Sequence, residues 1–170
     1  MLGLTEEVEF NRYTYLFENE INPETVQNLI DTLVGVPSAD LFFCTVGGEL
    51  PAMKALIHFI NNHPDIVIYV TGYLASAGTF LLTDCNKEIY LTEDLDFILF
   101  HQADRPVEGQ FRKRKIDEKI LYLQTEEVNK QLADKYKRLG LNSKEIKEYF
   151  KGEDVILYRK DFSRLKVNRK

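Results

Sequence analysis

A chain of 170 residues, 44% hydrophobic and 29% charged, is long enough for one domain to bury a core without metal or disulfide staples. Its net charge of −5 excludes a protein-wide field for nucleic acid, and no apolar run approaches the roughly 18 residues of a membrane span. Cys44 and Cys85 belong to no CxxC pair, which excludes a cysteine-built zinc or redox site. We expect both to be buried, reduced thiols. With a start at Met1-Leu2-Gly3-Leu4-Thr5 that lacks a signal peptide's basic and apolar regions, the expectation is a cytoplasmic protein with neither a nucleic-acid nor a membrane partner.

In chain order, Arg12-Tyr13-Thr14-Tyr15-Leu16-Phe17 alternates as a strand does. Asn22 followed by Pro23 predicts a helix start, and Val26, Leu29, Ile30 and Leu33 give that helix one apolar stripe. The apolar run at 40–44 predicts a strand buried on both faces, followed by a tight turn at Gly47-Gly48. Pro51 opens a second helix with Leu56, Ile57, Phe59 and Ile60 facing inward. A second buried strand is expected at 66–70, a turn at Gly72, a short helix at 76–83, and strands at 88–91 and 97–100. Such alternation predicts an α/β fold with parallel pairing. Residues 109–139 form a long amphipathic stretch closed by Gly140, and Asn142-Ser143 caps a last helix ending near Gly152. The basic run Arg112-Lys113-Arg114-Lys115, followed by Asp117 and Glu118, reads as a solvated helix face. With no linker and no repeat, residues 1–170 are expected to form a single domain with a protruding helix.

Three places invite chemistry. In Gly72-Tyr73-Leu74-Ala75-Ser76-Ala77-Gly78 a strand ends, small residues permit a sharp turn, and a serine stands at or near a helix N-terminus. Unpaired amides there favour an alkoxide or oxyanion, although serine is equally a common helix cap. Gly47-Gly48 would let backbone amides approach a ligand closely, and would equally make an ordinary strand-to-helix turn. His101 directly follows the strand Phe97-Ile98-Leu99-Phe100, where α/β folds place site residues, and its imidazole suits proton transfer. His58 and His63 read as structural. Serine chemistry also needs an acid to orient the imidazole; Asp84, Asp94, Asp96, Asp104 and Asp154 all remain candidates.

The ordered set of segments resembles the Clp protease proteolytic subunit (ClpP) family. Residues 72–82, GYLASAGTFLL, resemble the family's nucleophile segment, and Phe97-Ile98-Leu99-Phe100-His101-Gln102 its strand ending in His-Gln. Thr45-Val46-Gly47-Gly48 resembles the Ser-Pro-Gly-Gly turn, residues 12–21 the first strand, and Glu108-Gly109-Gln110 the start of the long "handle" helix at 109–139. The resemblance spans residues 12–154 and implies a crotonase/ClpP-like ββα superhelix. It implies Ser76 as nucleophile, His101 as general base, Asp154 as the acid, and the backbone amides of Gly48 and Ala77 as an oxyanion hole. It also implies that the segment from His101 through Gln110 is the edge against which an extended peptide pairs, with Gly47, Gln102 and Gln110 binding substrate.

The family's subunits form stacked rings of seven that enclose a chamber fed by a ring ATPase unfoldase. The implied activity is therefore serine endopeptidase cleavage of unfolded polypeptides by a homo-oligomer, with no cofactor and no metal. Apolar Tyr122, Leu123, Val128 and Leu132 on the long helix suggest association through it. Val46, Tyr73-Leu74 and Ala77 depart from the family pattern, as does the tail after Asp154, where the family has an alanine-rich helix. The tail motivates a second expectation, a non-catalytic ring subunit. A third, an acyl-CoA enzyme on the same fold, rests on fold analogy alone.

Overall fold

The computed structural model describes residues 12–103 and 115–168, and for residues 115–122 the backbone alone. Asp104, Gln110, the side chains of the basic run and that of Tyr122 lie outside the described residues.

Among the described residues each predicted element forms, with instructive departures. Strand β1 is Tyr13–Glu18, and helix α1 is Pro23–Leu33. The Asn22 side chain accepts from the Thr25 N–H at 2.9 Å while Thr25 Oγ1 accepts from the Asn22 N–H, a reciprocal cap that starts α1 where the sequence predicts. Strand β2 (Ser38–Thr45), helix α2 (Leu50–Asn62), strand β3 (Asp65–Ala75), a 3-10 turn (Ser76–Thr79) and helix α3 (Phe80–Asp84) follow. Next come β4 (Glu88–Leu91), β5 (Phe97–Phe100), the long α4 (Lys115–Leu139), α5 (Ser143–Phe150), β6 (Val155–Tyr158) and a 3-10 turn (Arg159–Arg164).

The six strands form one sheet in the order β1-β2-β3-β5-β6, with β4 also paired to β3. Pairing is parallel except between β5 and β6. Gly72 does not turn the chain, as its sequence context suggests. It has φ +60° inside the continuous strand β3, where the register with β2 slips between Phe43↔Val70 and Thr45↔Leu74. This bulge lets β3 change partners: residues 67–70 pair with β4, and residues 73–75 with β5. Nor is β2 buried on both faces. Leu41 and Phe43 are sealed in the core, whereas Phe42 stays half-buried in a stack with Tyr69, which stacks in turn on Tyr90. The apolar run is continuous because these aromatics cover one another, at centroid distances of 4.9 and 5.5 Å, instead of being covered by a helix.

The inner face of the sheet, with Phe17, Leu41, Phe43, Ile68 and Ile98, joins the stripes of α1 and α2 in one continuous core. Phe59 is only half-buried at its edge, unlike Leu56, Ile57 and Ile60. On α4 the buried stripe is Asn129, Leu132, Ala133, Tyr136 and Leu139; Leu132 is thus covered by its own core, while Leu123 remains exposed. Phe100, Tyr136 and Tyr149 form an edge-to-face cluster with centroids 4.7 and 5.5 Å apart, worth about 0.5–1.5 kcal/mol per pair beyond area burial. The tail is not an alanine-rich helix but β6 and its 3-10 turn, fastened where Arg164 pairs with Glu145 and donates to the Gly140 carbonyl. Cys44 is buried as expected, Cys85 only half-buried, and both are free thiols. Among the described residues no helix is long and apolar enough to cross a membrane.

At the start of the sheet, Arg12 ties three strands together. Its Nε donates to Asp40 at 2.6 Å, and its terminal nitrogens reach Ser38, Asp65 and the Ala39 carbonyl. The Ser38 hydroxyl, and secondly Arg12, hold the Asp65 carboxyl below its usual range. A carboxylate with a depressed native pKa stabilises above its unfolded value and loses that contribution as pH falls through the native one. Arg12→Met is therefore expected to cost roughly 1 kcal/mol at pH 7, a gap that narrows below about pH 4. Urea unfolding at the two pH values checks this; an undiminished gap in acid would assign the loss to packing.

Candidate active site

The site assembles at one end of β5. In the parallel pair, Ala75 lies opposite Leu99, so the residue after β3 and the residue after β5 emerge together. They are Ser76 and His101, and His101 Nε2 lies 2.5 Å from Ser76 Oγ. In the antiparallel pair, Phe100 lies opposite Val155, so extending that register by one residue sets Asp154 against His101. The His101 Nδ1 to Asp154 Oδ1 distance is 3.8 Å, within ion-pair reach but longer than a hydrogen bond, and the Asp154 side chain is 57% exposed. With the serine proton directed at Nε2, the neutral ring carries its own proton on Nδ1, toward the carboxylate.

Ser76 is not a helix cap. Ala75 holds that position without a side-chain bond, and Ser76 itself has φ +53°, alone among the described non-glycine residues in having positive φ. Left-handed backbone costs an L-residue about 1–2 kcal/mol. Here it swings the hydroxyl out of the turn and toward the imidazole. The strained serine is braced from behind: Thr79 Oγ1 donates to the Ser76 carbonyl at 2.7 Å. Since that uses the threonine's one proton, the Tyr136 hydroxyl, 2.9 Å away, donates to Thr79. Burial pushes the Tyr136 phenol up to about 12, so it keeps the proton it donates.

Gly47 and Gly48 have φ of +104° and +142°, in the region that favours glycine, and Gly48 bridges to Ile21. Ile21 N–H donates to the Gly47 carbonyl and Glu49 N–H to the Ile21 carbonyl, a parallel bridge centred on Gly48. The Gly48 N–H therefore points away from Ile21, and Gly48 lines a cleft of about 230 Å3 with Ser76, Ala77 and His101. Ala77 is the second residue of the 3-10 turn, among the first amides that have no partner within the turn. Leu50, Phe80, Leu132 and Tyr136 supply the cleft's other, largely apolar wall.

Other candidates lie differently. Gly47 has both backbone groups engaged, its N–H donating to Thr45 Oγ1 at 3.0 Å; a Cβ there would lie 2.5 Å from the Ser76 Cβ. Gln102 donates its amide to the Tyr149 carbonyl at 2.8 Å, which anchors α5 beside the site. Asp84 pairs with Lys135, Asp94 accepts from the Thr71 hydroxyl, and the Asp96 N–H donates to the Gly72 carbonyl in the β3 bulge. Tyr136, Thr79 and Asn129 escape the sequence reading. Only Asn129 leaves a trace there, as a polar residue at a core position of the α4 stripe.

A family model described as Clp protease matches residues 11–153. The chain belongs to the Clp protease family. The matched span holds Ser76, His101 and both glycines, and stops one residue before Asp154. No curated protein matches the sequence. Among solved structures, the chain is similar to an asparagine-to-aspartate variant of ClpP1 from Listeria monocytogenes, with 20% identity over 87% of this chain and 84% of that one, and a TM-score of 0.59. At that identity the likeness shows the fold, a mixed α/β ClpP architecture.

Gly35 and Gly48 give a contrast that thermal unfolding can read. Gly35, at φ +81°, has open space around a built Cβ, so Gly35→Ala should cost about 1 kcal/mol, or roughly 2–4 °C. A Cβ on Gly48 would lie 2.1 Å from the Ile21 carbonyl oxygen, so Gly48→Ala must separate the bridge and should lower Tm several times further.

Proposed function

We propose that this Clp protease family member is a serine endopeptidase subunit acting through Ser76, His101 and Asp154. The short bond between His101 Nε2 and Ser76 Oγ, at 2.5 Å, carries the reading, because it joins a base to a hydroxyl held out of its turn by a strained backbone. Ser76 Oγ attacks a peptide carbonyl as His101 Nε2 takes its proton. The N–H groups of Gly48 and Ala77 receive the developing oxyanion, and the protonated imidazole then gives its proton to the leaving amine. Water, activated by the same nitrogen, releases the acyl group. Asp154 stabilises the imidazolium across a gap that closes by a small side-chain rotation, since such contacts tighten on substrate binding.

The apolar wall of the cleft suits a substrate side chain of the same character. The polypeptide adds as a strand beside His101 and Gln102, the latter held by its bond to the Tyr149 carbonyl. Stacked homo-oligomeric rings in the cytoplasm, served by a ring ATPase, are part of the same proposal, and family membership supports the ring assembly. The wide His101 to Asp154 separation favours one second reading, a non-catalytic ring subunit.

A fluorophosphonate probe separates the two. The active reading expects labelling at Ser76 that Ser76→Ala abolishes, and peptide hydrolysis lowered by roughly a thousandfold or more in Ser76→Ala or His101→Ala. Wild-type protein that stays unlabelled and inactive alone, yet co-purifies in rings with an active subunit, would establish the second.

A further inference from the structure

We infer that Asn129 is a positioning residue through which helix α4 sets the His101 and Asp154 pair, an assignment that rests on the serine peptidase reading above. Asn129 is 4% exposed, and it is the one polar residue in the buried stripe that Leu132, Ala133, Tyr136 and Leu139 continue. A buried amide is retained at such a position only where its bonds are satisfied. Its Oδ1 accepts twice: from the Ala103 N–H at 2.7 Å and from the Tyr149 hydroxyl at 3.3 Å.

Those donors sit on the two arms that carry the pair. Ala103 lies two residues beyond His101 on the chain leaving β5. Tyr149 lies on α5, one residue before the end of the helix that delivers the turn to Asp154, and its carbonyl is already bound by Gln102. A single oxygen on α4 thus fixes the distance between the segment bearing the imidazole and the segment bearing the carboxylate. His101 Nδ1 and Asp154 Oδ1 are 3.8 Å apart, so a small further displacement would carry them beyond the ~4 Å reach of an ion pair. Two turns along, Tyr136 reaches the third segment through Thr79 and the Ser76 carbonyl. One helix therefore holds all three parts of the site, and Asn129 holds the two whose spacing is loosest.

Three variants test this: Asn129→Leu, which keeps the approximate shape without an acceptor; Asn129→Asp, which keeps the accepting oxygen; and Tyr149→Phe, which removes one donor. Each is compared with wild type below its own unfolding temperature by two measurements: the binding and acylation constants of the fluorophosphonate, and hydrogen exchange in peptides covering 98–103 and 150–155. Positioning predicts that Asn129→Leu slows acylation about tenfold or more, with probe binding changed less than about twofold. Both peptides should exchange faster together, Tyr149→Phe should show a smaller effect, and Asn129→Asp should recover most of the rate. A lowered Tm with wild-type acylation per folded molecule would make Asn129 merely structural and overturn the assignment. If wild type is never labelled, the peptidase reading fails by itself. Exchange still decides the positioning: joint loosening of both segments keeps it, and unchanged or one-sided exchange ends it.

Discussion

Strand β5 is four residues long and hydrogen-bonded on both edges, parallel to β3 and antiparallel to β6. That double pairing is the constraint on which the site depends. A parallel neighbour places residues that follow both strands at the same end of the sheet, and an antiparallel neighbour returns a residue preceding its strand to that end. Ser76 and Asp154 thereby reach His101 from opposite flanks without a long loop. Slipping either ladder by one residue would also exchange core and surface for every side chain involved, so burial of Ile98, Phe100, Val155 and Leu157 defends the register that the chemistry needs.

The Gly72 bulge serves the same end. While β3 pairs with β4 it follows one course, and only after the slip does it meet β5. Strain is concentrated at the next step, in the positive φ of Ser76, and is tolerated because the surroundings over-determine it: Thr79 on its carbonyl, Tyr136 behind Thr79, and Gly47 leaving space at its Cβ. The rigid members of this support are helical and aromatic. Asp154, in contrast, enters from an exposed turn, which accounts for its looser geometry.

Local features were legible in the sequence where local physics creates them. Asn22 and Asn142 announce their helices because a cap bonds within three residues, and Ser76 and His101 stand out because each follows a recognisable strand. Residue pattern leaves Asp154 one of five aspartates and only the family resemblance singles it out, since its place depends on the pairing of Phe100 with Val155, far apart in sequence. The Val155-Ile156-Leu157-Tyr158 segment has the branched, alternating character of a strand, yet comparison with a helical tail obscured it. The strained serine and the slip at Gly72 were invisible for a related reason: φ is imposed by neighbours on other strands. The open face of β2 was misjudged because apolar runs do not reveal whether aromatics are covered by a helix or by each other.

Tyr136 sets a limit that the rest of the site inherits. Its phenol resists ionisation until about 12, whereas the same group in an unfolded chain gives up its proton near 10. Across the neutral range the brace beneath Ser76 is therefore electrostatically silent. In strong base this becomes a penalty: the unfolded chain sheds a proton that the folded one must keep, so Tyr136 contributes to alkaline destabilisation from directly beneath Ser76.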